Sequence, residues 1–347
     1  MSLPDALRYQ SKACSALGSS FMGRMLALLA DRWPEGSALA KVCDRWEGEV
    51  GPNGASLPLR IAGGLHALVL MGRDESLAAA YPPNDATDAA LIGAVLAAID
   101  NHADFLLDWI TNAPQTNEVR RSAALIPAAH LLAARHPLPF ITSELGASGG
   151  LNLMWDRYAV DTGSSVLGPS SPTLTLSPDW SGPVPQPANI QVSQRAGVDL
   201  NPLDPRDPEQ ALRLFAYLWA DQPYRMDLTR AAIAAAEVAV EKGDAIEWLS
   251  GRFGQQPEGH LHLIYHTIAW QYFPAAKQAE GKAMIEAAAS RATGTRPLAW
   301  LRMEHDGDTA NSAGAGLTLR LWPGDLEVTL ARVDFHGRWV RWQAAAL

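Results

Sequence analysis

The chain has 347 residues, 48% hydrophobic and 19% charged, which is ample apolar material for two domains or one large one. Its formal net charge is −9, so non-specific nucleic-acid binding, which needs a Lys/Arg surface, is not expected. No window reaches the roughly 18 apolar residues of a membrane span, the N-terminus carries Asp5, Arg8 and Lys12 without an apolar run, and Cys14 and Cys43 are the only cysteines. A cytoplasmic protein without signal peptide, membrane or nucleic-acid partner is therefore expected.

Residues 1–135 read as helices. Phe21, Met25, Leu28 and Leu29 share one helix face, and Leu91, Ile92, Val95, Leu96 and Ile99 repeat that spacing after Asp88, a candidate N-cap. A further helix follows Asn117, with Pro127 expected to kink it. His136-Pro-Leu-Pro139 then stops the helical pattern. Phe140 to Leu145 is the first strand candidate, and Gly149 to Tyr158 a short helix. Residues 162–188, rich in Pro, Ser, Gly and Thr, read as an insertion of loops and small strands, with a hairpin around Leu174.

Ile190 to Asp199 reads as another strand. Asp207-Pro-Glu-Gln210 opens a helix running to Trp219. Helices are expected from Asp227 to Glu241, Ala245 to Phe253 and Pro274 to Ala292. Strands are expected at Leu261 to Tyr265 and Leu298 to Met303. An antiparallel meander closes the chain at Leu317–Leu321, Leu326–Val333 and Trp339–Trp342. The alternation from 136 onward argues for an α/β domain with a mostly parallel sheet, preceded by an all-helical domain over 1–135.

Glu144-Leu-Gly-Ala-Ser-Gly-Gly-Leu-Asn152 carries the chemistry. It contains G-x-S-x-G, the elbow of a serine hydrolase, with Ser148 as nucleophile and Asp199 plus His305 or His336 as partners. That elbow would follow the first strand of the domain, and no His-Gly-Gly segment precedes it. The other reading is an acid at a strand's end, glycines in the turn, then a helix whose first amides are free for a ligand. Asp199 stands at the end of the next strand, where a turn-forming role competes with ligand binding. Asp244-Ala245 opens a helix, so capping competes there too. Asp221-Gln-Pro-Tyr-Arg225 reads as a site loop or a surface ion pair. His260-x-His262 shares a strand face without carboxylates or cysteines to complete a metal set, so no metal is expected. His266 is the candidate general base.

The spacing of Glu144, Gly146, Gly149 and Gly150 resembles the acid-x-G-x-x-G turn of class I S-adenosylmethionine-dependent methyltransferases. In that family the last strands form an antiparallel hairpin. The resemblance implies a Rossmann-like sheet in residues 136–347 and S-adenosylmethionine as cofactor. It implies contacts from Glu144, Gly146, Ser148, Gly149, Gly150 and Asn152 in the turn, Asp199 at the ribose, and Asp244-Ala245 near the adenine. The helical domain over 1–135 would cover the crevice or form an oligomer contact. Over most of its length the chain also resembles a bacterial family known only as a domain of unknown function. Glu144 to Tyr158, Gly197 to Asp204, Trp219 to Arg225 and the Trp322-Pro-Gly324 meander carry that likeness.

The expected activity is methyl transfer to a small molecule. A non-catalytic scaffold of the same fold is the alternative and the serine hydrolase the third reading. Partners are a small-molecule substrate and, left open, a second copy of the chain. Three departures stand beside the resemblance: fifty residues separate Gly149 from Asp199, the strand before Gly243 is weakly marked, and the meander has one strand more than a hairpin.

Overall fold

The structure, a computed structural model, describes residues 1–254, 256–307 and 314–347. The first seven helices are α1 (Leu3–Ala16), α2 (Ser20–Asp31), α3 (Ala38–Cys43), α4 (Leu57–Leu70), α5 (Glu75–Ala80), α6 (Asp88–Asn101) and α7 (Ala103–Trp109). A 3-10 turn at Val119–Arg121 leads into α8 (Ser122–Arg135), which runs through Pro127 without a break. Strand β1 (Phe140–Leu145) follows, then a 3-10 helix over Leu151–Arg157 and four short strands. These are β2 (Tyr158–Asp161), β3 (Val166–Leu167), β4 (Leu174–Leu176) and β5 (Asp179–Ser181). Next come β6 (Val192–Asp199), α9 (Pro208–Ala216), α10 (Pro223–Ala235), β7 (Glu241–Lys242) and α11 (Ala245–Phe253). The chain closes with β8 (Leu261–Thr267), α12 (Ala275–Ala289), β9 (Leu298–Glu304), β10 (Ala315–Trp322), β11 (Leu326–Val333) and β12 (Trp339–Trp342).

The chain divides into two compact units. One comprises Met1–Thr116 with Asp207–Asp227, the other Asn117–Arg206 with Leu228–Leu347. The helical run of the sequence is thus shared: α1 to α7 belong to the first unit and α8 to the second.

In the first unit, Leu7, Met25, Leu26, Leu29, Ile61, Leu65, Leu91, Val95 and Ile99 form one buried apolar core. The periodic residues read from the sequence lie in it, with Leu28 and Leu96 at its margin. The cap of α6 is Thr87, whose side chain accepts from the Ala90 amide, while Asp88 begins the helix proper. Asp221 closes the start of α2: its carboxylate accepts from the Ser19 hydroxyl at 2.6 Å and the Phe21 amide at 3.0 Å. Ser19 in turn caps α2 through the Met22 amide. The polar segment after α9 therefore anchors a helix terminus within its own unit. No single helix among the described residues is long and apolar enough to cross a membrane; α6 and α7 reach the length together but are bent by 86°.

The second unit is a mixed α/β body around a nine-stranded sheet of order β5-β12-β11-β10-β9-β8-β1-β6-β7. Strands β7, β6, β1, β8 and β9 run parallel, and β10, β11 and β12 add the antiparallel meander to β9. Every residue of β1 and of β8 is buried, as expected of central parallel strands covered on both faces. Leu145, Val198, Leu249, Ile264, Ile285, Leu298 and Trp300 form a core on this sheet. A small second sheet, β3-β2-β4, lies in the insertion. There β4 pairs parallel with β2, so Leu174 is not part of a hairpin. The second helix of the expected set is displaced too: α10 begins at Pro223, and Glu241-Lys242 is an edge strand, not a helix end.

Replacing Asp221 by Ala should destabilise the protein by about 1–3 kcal/mol, because two donors at the start of α2 lose their acceptor. Urea unfolding of the two proteins measures the difference. An unchanged midpoint would remove Asp221 from the account of α2.

Candidate functional site

The parallel strands order the site. The chain leaves β1 for β6 and β7 on one side, then returns to β8 and β9 on the other. The connections therefore diverge at β1, the kind of switch point at which open α/β sheets bind their ligands, outside the carboxyl ends of the strands. The register aligns those ends: Glu144 lies opposite Gly197 of β6 and Tyr265 of β8.

After Leu145 the backbone turns sharply. Gly146 has φ +74, a conformation that L side chains adopt only with strain, and a Cβ there would sit 2.6 Å from the Cβ of Ala269. The amides of Gly146 and Ala147 both donate to the Val198 carbonyl, at 2.9 and 3.0 Å. The Ser148 amide donates to Asp199 Oδ2 at 2.9 Å, and the Asn201 amide to Oδ1 at 2.9 Å. Gly150, with φ +72, donates its amide to the Ala147 carbonyl, and the Leu151 amide donates to Asn117 Oδ1. The expectation of free amides at the start of this helix is therefore corrected. Those of residues 146, 147, 148, 150 and 151 are held by protein acceptors, because the turn folds back onto β6 and Asn117 covers the helix start.

Asn152 is structural in its contacts. Its Oδ1 accepts from the Ser122 hydroxyl at 2.7 Å and its Nδ2 donates to the Glu118 carbonyl at 3.2 Å. Asp244 caps α11, accepting from the Ile246 and Glu247 amides at 2.9 and 3.1 Å, and Ala245 sits in the sheet's apolar core. The Gly243 amide donates to the Asp199 carbonyl, so the ends of β6 and β7 stay together. Glu144, Gly146, Ser148 and Asp199 are thus gathered at one edge, with Asp244 beside them as a helix cap.

Glu144 is 2% exposed. Burial pushes its carboxyl up to about 8, against the pull of the Tyr265 hydroxyl, which donates to Oε2 at 3.3 Å, and of the Arg121 charge. Arg121 is fixed by donating to the Thr267 carbonyl at 2.9 Å and the Phe335 carbonyl at 3.1 Å. Tyr265 also donates to the Asn152 carbonyl, and its burial beside Glu144 keeps the phenol protonated. The sequence reading did not select Arg121, Asn117 or Tyr265. Only Tyr265 carried a signal, since it faces Glu144 across paired strands.

His266 is fully buried and both of its ring nitrogens are engaged. Trp300 Nε1, which can only donate, lies 3.1 Å from Nε2, so the ring's proton is on Nδ1 and is donated to Glu304 at 2.6 Å. Trp270 stacks on the ring at 4.9 Å between centroids. Glu304 also accepts from the Ala269 and Trp270 amides. Burial raises its carboxyl, but the His266 bond and the two amides outweigh that and hold it below its usual value. No nitrogen of His266 is left to take a proton from a substrate. The side chain instead fixes the loop after β8, which lays Ala269 against Gly146.

Two members of the serine-hydrolase reading have other contacts. The Asp199 carboxylate holds backbone amides, and His305 stacks on Phe335 with its Nδ1 accepting from the Gly307 amide. His260 and His262 are used separately: His260 Nδ1 lies 3.0 Å from the Glu258 carbonyl, and His262 Nε2 lies 2.9 Å from Ser143 Oγ. Among the described residues no group of three or more His, Cys, Asp or Glu is placed to hold a metal ion.

Fold and site together describe a mixed α/β protein with a large, mostly parallel central sheet. Within that class the chain belongs to the family described as "Uncharacterized protein conserved in bacteria (DUF2332)", which it matches over residues 4–342. No curated protein and no solved structure matches it.

Because the folded state holds the Glu144 proton more tightly than the unfolded chain, whose carboxyl titrates near 4.5, stability falls as pH rises from about 4.5 through 8. Glu144→Gln abolishes that titration. Its melting temperature should fall less than the wild-type's between pH 5 and 8.5, on an otherwise similar profile; parallel profiles would contradict the buried, proton-holding carboxyl.

Proposed function

We propose that the crevice at the carboxyl ends of β1, β6 and β7 binds a nucleotide-like cofactor, S-adenosylmethionine, and that the protein is a methyltransferase for a small molecule. One observation carries this reading. In the parallel order β7-β6-β1-β8-β9, the glycine turn follows β1, and an acid, Asp199, closes the adjacent β6 and is hydrogen-bonded to that turn. This is the relation the methyltransferase resemblance implies for a Rossmann-like sheet. The fifty-residue separation of Gly149 and Asp199 has a structural reason: the 3-10 helix, the small β3-β2-β4 sheet and β5 lie between them.

Methyl transfer asks mainly for alignment. The acceptor's lone pair attacks the methyl carbon in line as the carbon–sulfur bond breaks, and the sulfur leaves with the bonding pair. With His266 committed to Trp300 and Glu304, an acceptor that carries its lone pair ready is favoured over one needing a base. Glu144 is buried, so Asp199, bonded to the Ser148 and Asn201 amides, is the carboxylate offered to a cationic ligand at the turn.

A second reading rests on Ala269. It packs where a Cβ on Gly146 would stand, so the ligand's usual approach over that glycine is closed, and five loop amides are already bonded. Both features favour a non-catalytic binding or scaffold protein.

Calorimetric titration with S-adenosylmethionine and S-adenosylhomocysteine separates the two. The methyltransferase reading expects micromolar binding, weakened at least tenfold in Asp199→Ala that still melts cooperatively. Absence of heat with both ligands, from folded wild-type protein, would leave the binding-module reading in its place.

A further inference from the structure

We propose that Glu144 and Tyr265 form a proton-operated latch on the 3-10 helix that follows the glycine turn: neutral Glu144 leaves Tyr265 holding that helix, and ionised Glu144 draws Tyr265 off it. The parts lie within the second unit. Glu144 of β1 and Tyr265 of β8 are register partners in a parallel pair, so their side chains rise from the same face of the sheet. Gly197 of β6 is the third member of that row. A Cβ there would stand 2.8 Å from the Ala147 Cβ and 3.2 Å from the Leu153 methyls, so the turn and the helix after it lie across the row. The latch does not depend on which ligand the edge takes.

Proton counting carries the inference. A phenol has one proton to give. Tyr265 Oη lies 3.1 Å from the Asn152 carbonyl and 3.3 Å from Glu144 Oε2, and the carbonyl can only accept. Both contacts hold a proton only when Glu144 is a neutral acid: Glu144 then donates to Oη, and Tyr265 donates to the carbonyl. An ionised Glu144 brings no proton and is the stronger acceptor. The Tyr265 proton then goes to the carboxylate, and the Asn152 carbonyl loses this donor.

The surroundings make Glu144 the member that titrates. Burial raises its carboxyl to about 8; the Tyr265 hydroxyl and Arg121, ahead of α8, favour ionisation, and Asp199 of β6 opposes it. Tyr158 of β2 feels the Glu144 charge, and Asp156 and Arg195 act on Tyr265. Burial pushes both phenols up, so they stay protonated while Glu144 changes. The start of the helix is also tied by the Asn152 side chain, to Ser122 and the Glu118 carbonyl, and by the Leu151 amide on Asn117. None of those bonds carries a titrating proton, so the change falls on the Asn152–Leu153 peptide and the residues after it. Met154, next along, already departs from helical geometry at φ −98 and ψ 15, which gives the segment a joint. Leu153 packs on Gly150 as well as Gly197, so this peptide seats the helix on the turn.

The Asn152–Leu153 peptide can be read alone, because Asn-Leu occurs once in the sequence. Intact protein carrying 13C-carbonyl asparagine and 15N leucine gives a single NMR correlation from that peptide. The Leu153 amide is bonded to the Gly150 carbonyl at 3.0 Å, which protects it from exchange at alkaline pH. The Asn152 carbonyl resonance should move upfield as pH rises, with a midpoint at about 8. Glu144→Gln, whose amide N–H donates to Tyr265 at every pH, should hold the resonance at its low-pH position throughout. Tyr265→Phe, which removes the donor, should hold it at the high-pH position throughout. A wild-type resonance that does not titrate overturns the inference. So does a titration that persists in folded Glu144→Gln, or a low-pH position retained in folded Tyr265→Phe. Glu144→Gln is isosteric with the neutral acid, so it decides the matter if Tyr265→Phe does not fold. No ligand is added, which keeps the result independent of the cofactor titration.

Discussion

One carbonyl holds the end of β1 to the end of β6. Val198 accepts both the Gly146 and the Ala147 amides, and this pair of hydrogen bonds turns the backbone after Leu145 back over the neighbouring strand. Two consecutive N–H groups can reach one acceptor only if the chain reverses abruptly between them, which is why Gly146 takes a left-handed conformation. Asp199, one residue beyond Val198, then meets the Ser148 amide. Everything at the carboxyl edge follows: Glu144 is sealed beneath the turn, and Leu151 begins its helix against Asn117.

A second constraint comes from the other side of β1. Trp300, His266 and Glu304 form a directed relay from an indole N–H through an imidazole to a carboxylate. The carboxylate then collects the amides of the loop after β8. The chain is fully satisfied, so it is rigid, and it fixes Ala269 against Gly146. The two constraints close on the same glycine from opposite strands. This edge is therefore preformed: the turn's amides are bonded to protein acceptors and Glu144 is buried.

Much of the secondary structure was legible because its causes are local. Strand β11 and helix α11 follow from runs and caps a few residues long, such as Asp244 before Ala245, and they fall where the sequence places them. The failures share a cause as well. Glu241-Lys242 is too short and too polar to announce a strand, and becomes one because β6 offers it an edge. Pro223 starts α10 four residues early, and β4 pairs with β2 rather than folding on itself. Partner strands far along the chain decide such elements.

The site divides in the same way. The sequence by itself determined which residues would stand near the ends of the parallel strands: Glu144 after an apolar run, Asp199 before a turn, and His266 after Leu261–Tyr265, a strand that in the structure continues through His266 to Thr267. It also determined where glycine would be needed, since Gly146 sits at a chain reversal that other residues resist. Only the tertiary structure decided what each group could do. His266 loses its availability to Trp300 and Glu304, the turn's amides go to Val198, Asp199 and Asn117, and Arg121 arrives from a segment with no motif to mark it. Hydrogen bonding is the physical reason. A residue's chemical type is written in its own side chain, but its capacity to bind or move a proton depends on which donors and acceptors remain unpaired, and those partners come from strands and helices far away in the chain.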